Sequence, residues 1–190
     1  EMVSAFDIKD VNKSASSINS EKLLWLNQHY IKHADNKSLS EPLTELFEVM
    51  NIDIENGPKL GDLIEVQKHR TETLMQMAEQ STFFYNVFEE YDANAAKKHL
   101  RPVMLEPLKE LYDSLSNISE WDNKHIKYVI EKMAKDLDIK MGKLAQPLRV
   151  AVTGAGVSPS IDDTLRLLGQ EKSLTRLRKG IEFIENRSSS

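Results

Sequence analysis

The sequence predicts an all-α protein made of two packed helical subdomains, and three observations support this prediction. Apolar residues recur at helical spacing through most of the 190 residues. Helix-starting residues such as Ser, Asp and Pro precede several of these segments, and glycine follows others. No segment alternates apolar and polar residues as a half-buried strand would, and Val150–Val152 is too short to decide.

The first half of the chain predicts four helices. Ser20 is a candidate N-cap for the segment EKLLWLNQHYIKHA, and Pro42 would stand in the first turn of the next helix, where its missing N–H costs nothing. A short helix is expected over 60–68. Thr71 can cap a further helix, which would continue through the apolar run FFYNVF.

The second half predicts helices in the same style. The expected start residues are, in chain order, Asp92, Pro102, the capping-box-like Ser119–Asp122, Ser160 or Asp162, and Ser173. Gly169 should end the short helix that begins near Ser160. Trp25 and Trp121 border apolar stripes, so we expect both to be at least partly buried.

Charge and a turn place the subdomain boundary near residue 95. The net charge is −5 overall, but residues 1–95 hold 8 Lys/Arg and 17 Asp/Glu, whereas residues 96–190 hold 17 and 13. The halves therefore carry −9 and +4, and the turn at Tyr91-Asp92 lies between them. We predict subdomains over 1–95 and 96–190, with any polyanion met mainly by the second.

Composition excludes several classes of protein. With 40% apolar residues, the chain can build a core, and the absence of cysteine excludes disulfides, thiolate zinc sites and a cysteine nucleophile. The sequence has no run of about 20 apolar residues and no secretory signal at its start. We therefore expect a cytoplasmic protein without membrane contact. Because Glu1 is not a methionine, we also expect a fragment of a longer protein.

The residues show no catalytic or metal centre. Gly154 and Gly156 lack the third glycine and the βαβ setting of a dinucleotide fingerprint, and Lys143 lies upstream of them, unlike a P-loop lysine. His29 and His33 have zinc-like spacing but no obvious third ligand. We predict no catalytic residue and no metal site in this chain.

The stretch GKLAQPLRVAVTGAG differs from its charged surroundings, because Arg149 is its only charged residue between Lys143 and Gly156. An arginine near a helix end, beside a glycine turn, can present a planar donor fork to an RNA base. The alternative is a helix arginine that pairs with a nearby carboxylate. The residues alone leave both interpretations open.

Four segments resemble bacterial glutamyl-tRNA synthetases, a class I family. The segment that resembles their anticodon-binding end is MGKLAQPLRVAVTGAGVSPSIDDTLRLLGQEKSLTRL. KSASSINSEKLLWLNQHYI resembles the part that follows their catalytic signature loop, and HRTETLMQMAEQSTFFY and YDANAAKKHLRPV resemble intermediate helices. The match runs through nearly the whole chain in order.

The resemblance implies a C-terminal part, in which residues 1–95 hold the end of the stem-contact region and a first helical anticodon-binding subdomain, and residues 96–190 hold the second. Neither an HIGH-like nor a KMSKS-like tetrapeptide occurs, so the fragment is expected to hold no cofactor and to leave ATP unreacted. The parent enzyme would join glutamate to its tRNA with ATP and magnesium. The implied partner is the anticodon loop of the glutamate tRNA, not DNA, and the parent is expected to be monomeric. A stand-alone helical interaction module, or a synthetase-like module without ligase activity, is the alternative.

The resemblance also implies the site residues. The arginine of the family's PLR motif falls on Arg149, a further base-contact position on Ser158, and an apolar residue that packs against a base on Ile161. Arg70 is the nearest candidate for the arginine that contacts the third anticodon base. It can equally be the structural arginine of that motif, and discrimination against the glutamine tRNA depends on this neighbourhood.

Overall fold

The computed structural model describes residues 19–188, which form ten α-helices, one 3₁₀ helix and no strand. The helices are α1 (Ser20–His33), α2 (Asn36–Val49), α3 (Leu60–Gln67), α4 (Leu74–Tyr85), α5 (Ala93–His99), α6 (Leu105–Ser116), α7 (Asn123–Asp136), α8 (Met141–Thr153), α9 (Ile161–Leu168) and α10 (Gln170–Ser188). The 3₁₀ helix Pro102–Met104 leads into α6. The all-α prediction is confirmed.

Two groups of helices pack around apolar stripes. Helices α2, α3 and α4 contact one another, and their buried residues include Leu43, Phe47 and Phe84. In the second group α10 packs on α6 and α8, while α7 contacts α8 and α9. Helix α3 also contacts α9, so the two groups meet. The boundary near residue 95 stays a prediction.

Several predicted helix ends are confirmed by their capping contacts. Asp122 accepts a hydrogen bond from the His125 N–H at 2.8 Å, and Ser160 accepts one from the Asp163 N–H at 3.2 Å. Gly169 follows α9 with a φ of +79°. The predicted residues work here because each cap is a local interaction between neighbours in the sequence.

Two other helices begin earlier than predicted. Helix α2 starts at Asn36 instead of near Ser40, so Pro42 lies inside it and not in its first turn. Leu39 and Leu43 are both buried on the same face of this helix. The burial of Leu39 favours a helix that begins before it. Helix α10 starts at Gln170, directly after Gly169, which leaves Ser173 inside the helix.

In the first half of the chain, the caps and ends of other helices differ from their predicted positions by only a few residues. Asn19, not Ser20, caps α1 by accepting from the Lys22 N–H at 3.1 Å. Thr73, not Thr71, caps α4, because the Thr71 hydroxyl instead donates to the Gln67 carbonyl. Helix α4 ends at Tyr85, so the second half of the run FFYNVF is not helical. The mixed stretch from Val3 to Ile18 lies outside the described residues.

The two tryptophans behave differently. Trp121 is partly buried, as predicted, and its Nε1–H donates to the Leu165 carbonyl at 2.9 Å. Trp25 is 61% exposed, so the prediction of burial is wrong for this residue. Its neighbours Leu23 and Tyr30 are 52% and 65% exposed as well.

A buried arginine joins the two groups of helices. Arg176 of α10 donates to the Val152 carbonyl at 2.9 Å and to the Asn86 carbonyl at 3.0 Å, and its guanidinium lies 5.4 Å from the centre of the Phe88 ring. The Asp92 N–H donates to the Gly154 carbonyl at 2.8 Å. The segment after α4 is thereby tied to the C-terminal end of α8.

Helices α8 and α10 approach closely at Gly180. A methyl group on Gly180 would lie 2.6 Å from Ala151 Cβ and 3.2 Å from its Cα. Overpacking costs about 1–3 kcal/mol, and helix propensity returns up to about 1 kcal/mol. We therefore expect Gly180→Ala to lower the free energy of unfolding by roughly 1 kcal/mol in urea denaturation.

Gly61 provides the matched control for this substitution. It also lies in a helix, but a methyl group there would meet nothing within 4 Å. Gly61→Ala should leave stability unchanged or raise it by up to about 1 kcal/mol. Equal effects of the two substitutions would show that the α8–α10 contact is not tight.

Candidate functional site

The loop that follows α8 turns sharply at Gly154. This residue adopts a left-handed conformation with φ of +77°, and its N–H donates to the Val150 carbonyl at 2.9 Å. An added Cβ would lie 2.9 Å from the ring of Phe88. Both the φ value and the close ring require glycine, and the turn directs the chain back past Arg149.

Arg149 holds this loop through one nitrogen. Its Nη1 donates to the Ser158 carbonyl at 3.0 Å, and also to Ser158 Oγ and the Pro159 carbonyl. Within residues 19–188 its Nε and Nη2 have no protein partner, and no carboxylate lies within 4 Å of it. The predicted alternative, an internal ion pair, is therefore not what the described residues form. One edge of the guanidinium supports the loop and the other remains available.

Ser158 and Ile161 lie on the inner side of this loop. The Ser158 hydroxyl donates to the Pro159 carbonyl at 3.0 Å and lies 3.0 Å from Thr164 Oγ1. Ile161 is only 3% exposed and belongs to the core. The structure brings Ser158 into contact with Arg149 but buries Ile161, and the base-contact roles of both stay predictions.

Arg70 reaches the same region from the other group of helices. It follows α3 and is exposed, and its backbone N–H donates to the Gln67 carbonyl at 2.9 Å. Its guanidinium has no hydrogen bond or ion pair in the described part of the chain. A purely structural role is therefore unsupported by its contacts there.

The charge of Arg70 acts on the nearby Arg149. Burial lowers the pKa of Arg149, and the positive charge of Arg70 lowers it further, while Asp162 opposes both effects. Burial likewise lowers the pKa of Arg70, opposed by Asp163. Arginine still remains charged at neutral pH, because its ordinary pKa is above 12. The arginine pair, Arg70 and Arg149, therefore forms a local positive surface.

Two carboxylates beside the arginine pair are fixed by their own contacts. The Asn123 amide donates to Asp162 at 3.1 Å and to Asp163 at 2.7 Å, and the Ser160 hydroxyl donates to Asp163 at 2.6 Å. Arg166 lies 3.7 Å from Asp163. These bonds keep the carboxylates near the arginine pair without closing an ion pair with it.

A concave cavity of about 300 Å³ opens between α4 and the loop. Its lining includes Gln67, Phe83, Val157, Ser158 and Pro159. Val157 is 73% exposed, and Gln67 Oε1 is buried without a hydrogen-bond partner. The sequence analysis missed Gln67, Phe83 and Val157. The aromatic run FFYNVF was a signal for Phe83, but nothing in the sequence singles out the other two.

A second cluster of polar groups has a local explanation. Glu120, Asp122 and His125 bring three potential ligand atoms within 4.8 Å of one another. Asp122 is the N-cap of α7 and accepts from both the backbone and the ring of His125. The His125 contacts hold the pKa of Asp122 below its usual value. Helix capping accounts for this geometry.

The arrangement around Arg149 suits recognition better than catalysis. It offers unpaired guanidinium donors, an adjacent cavity and an exposed apolar side chain, which are the groups that contact unstacked bases. In residues 19–188 no helix is long and apolar enough to cross a membrane.

Comparison with known proteins bears on this arrangement. A family model described as an anticodon binding domain matches residues 25–181. The glutamate–tRNA ligase of Legionella pneumophila strain Paris is 47% identical over 190 residues, which is all of this chain and 40% of that protein. The ligase of strain Philadelphia 1 is 48% identical over 189 residues with the same coverage. The chain thus spans about 40% of the length of the curated relatives it matches.

Two solved structures are similar in fold. A crystal structure of a glutamate tRNA ligase from Elizabethkingia meningosepticum, in complex with its amino acid, superposes with a TM-score of 0.84 at 25% identity. It covers 96% of this chain and 36% of its own. A glutamate-tRNA synthetase from Elizabethkingia anophelis gives a TM-score of 0.79 at 26% identity, covering 96% and 35%.

Proposed function

Because the chain belongs to the anticodon binding domain family, we propose that it binds the anticodon loop of the glutamate tRNA. The observation that carries this proposal is the open edge of Arg149, whose other edge bonds Ser158 and Pro159 in the wall of the cavity. Because no carboxylate of the described residues pairs with the Arg149 guanidinium, its Nε and Nη2 remain available to donate to a base edge. Arg70 supplies a second fork from the other group of helices.

The anticodon is a suitable ligand for this surface. Its bases are single-stranded and unstacked, so their edges are open to arginine donors and their faces to apolar side chains. Val157 and Phe83 line the adjacent cavity and could offer such faces. We propose contacts with bases for Arg149 and Arg70. Ser158 would position the loop, and Ile161 would support the loop from the core beneath it.

The longer protein is proposed to be a glutamate–tRNA ligase. It would activate glutamate with ATP and magnesium, and we place it in the cytoplasm as a monomer that binds tRNA and not DNA. Residues of this chain take no part in that activation, because neither class I signature tetrapeptide occurs in it. The role that we propose for this chain in the ligase is anticodon recognition.

A binding titration tests this function. We expect the 190-residue chain to bind an RNA hairpin with the glutamate anticodon loop, and to bind a hairpin with a scrambled loop more weakly. Each phosphate contact contributes about −0.7 to −0.9 to the slope of log affinity against log salt, so a few contacts give a slope shallower than about −4. Fluorescence anisotropy at several salt concentrations provides both values.

Two outcomes would contradict the proposal. Equal affinity for both hairpins would mean that the loop sequence is not recognised. A slope of about −8 to −10 would indicate a broad electrostatic contact in place of base recognition.

A further inference from the structure

A basic pocket lies beside the start of α8, and neither member of the arginine pair lines it. It has a volume of about 410 Å³, and its polar lining is formed by Lys98, His99, Arg101, Lys143 and Gln146. The first three come from the end of α5 and the residue that follows Leu100, and the other two from α8. No carboxylate lines this pocket.

The cations of the basic pocket lack counterions. Lys98, Arg101 and Lys143 are exposed and form no ion pair or side-chain hydrogen bond within the described residues. Burial and the charges of Lys98 and Arg101 lower the pKa of His99. Positive groups that surround one concavity repel each other and raise the local potential, which favours entry of an anion.

Uncommitted donors lie among these cations. The Gln146 side chain has no hydrogen bond in the part of the chain described, so its Nε2 is available to donate to an anion, while its buried Oε1 is an acceptor without a partner. Helix α8 has neither a side-chain N-cap nor an acidic residue in its first turn. Gly142 of that turn lines the pocket, and nothing lies within 4 Å of the position its Cβ would take. The start of α8 therefore adds its positive helix end to the pocket.

We propose that the basic pocket binds a backbone phosphate of the same RNA whose anticodon bases meet the arginine pair. This inference rests on the proposed function and adds a second, sequence-independent contact to it. Lys143 and Arg149 lie on the same helix, six residues apart, which corresponds to about 9 Å along its axis. Six residues also correspond to about 120° around the axis, so an RNA strand that reaches both must pass partly around α8.

The test is Lys143→Glu in the 190-residue chain, with Lys132→Glu as the control of equal charge. Lys132 lies on α7, is exposed, forms no ion pair among the described residues and does not line the pocket. Glutamate in the first turn of α8 suits the helix dipole, so the Lys143 variant should fold normally. Circular dichroism melting checks this.

The expected result is specific to Lys143. Loss of one phosphate contact should flatten the salt slope by about 0.7–0.9, which weakens binding about five- to eightfold at 0.1 M salt. The loss should be the same for hairpins with native and altered anticodon bases. Lys132→Glu should have a smaller effect on the affinity and none on the slope.

Three outcomes would overturn the proposal. Equal effects of the two variants would mean that only net charge matters. A loss that depends on the anticodon sequence would assign Lys143 to base contact. If inorganic phosphate at constant ionic strength weakens hairpin binding equally in the wild-type chain and in the Lys143 variant, the hairpin places no phosphate in this pocket. Failure of the wild-type chain to bind any hairpin would instead overturn the proposed function itself, and this inference with it.

Discussion

Replacing Arg149 with alanine is expected to weaken binding of the anticodon hairpin about five- to hundredfold, the equivalent of about 1–3 kcal/mol for a lost base contact. The substitution removes the open donor edge of the guanidinium. It also removes the hydrogen bonds that hold the Ser158 and Pro159 carbonyls. Fluorescence anisotropy with the native hairpin measures the change in affinity.

Arg149→Lys separates charge from geometry. Lysine keeps the positive charge but cannot bond the loop and a base edge at once with a planar fork. We expect it to recover less than half of the lost binding free energy. Full recovery by lysine would mean that Arg149 acts through its charge alone.

Replacing Arg176 with methionine should lower the free energy of unfolding by about 2–4 kcal/mol, because one buried and one partly buried carbonyl lose charge-assisted hydrogen bonds. These carbonyls belong to Val152 and Asn86, and Arg176 is only 6% exposed. Burial is the main cause that lowers the pKa of Arg176, but the group remains charged. Urea denaturation at neutral pH provides the measurement.

Arg178→Met is the matched control on the same helix. Arg178 is exposed and contacts the ring and hydroxyl of Tyr112. Surface contacts of this kind contribute about 0–1 kcal/mol, so the control should lose much less stability. If Arg176→Met costs no more than Arg178→Met, the link between the two groups of helices does not depend on Arg176.

The parts of the fold that the sequence predicted are those with local causes. Asp122 and Ser160 cap helices through neighbours three residues away, and Gly169 ends α9 through its own φ. The early start of α2 could not be predicted in this way. It depends on burial of Leu39 against other helices, which only tertiary packing determines.

The candidate site shows the same difference between features with local causes and features that depend on tertiary packing. The resemblance identified Arg149 and Ser158, and the structure places them in direct contact. The approach of Arg70 to Arg149 joins residues from different halves of the chain, so no local pattern could reveal it. Burial of Ile161 and exposure of Trp25 likewise depend on which surfaces the folded chain covers.

The most direct test of base recognition is a double-mutant cycle between Arg149→Ala and substitutions at each of the three anticodon positions. If Arg149 contacts one base, a hairpin altered at that base should lose little more affinity when Arg149 is also replaced, because both changes remove one interaction. At the other two positions, the loss of affinity from the altered base and the loss from Arg149→Ala should add. Additive losses at all three positions, together with a lowered melting temperature of the variant, would contradict the account and leave Arg149 as a support for the loop alone.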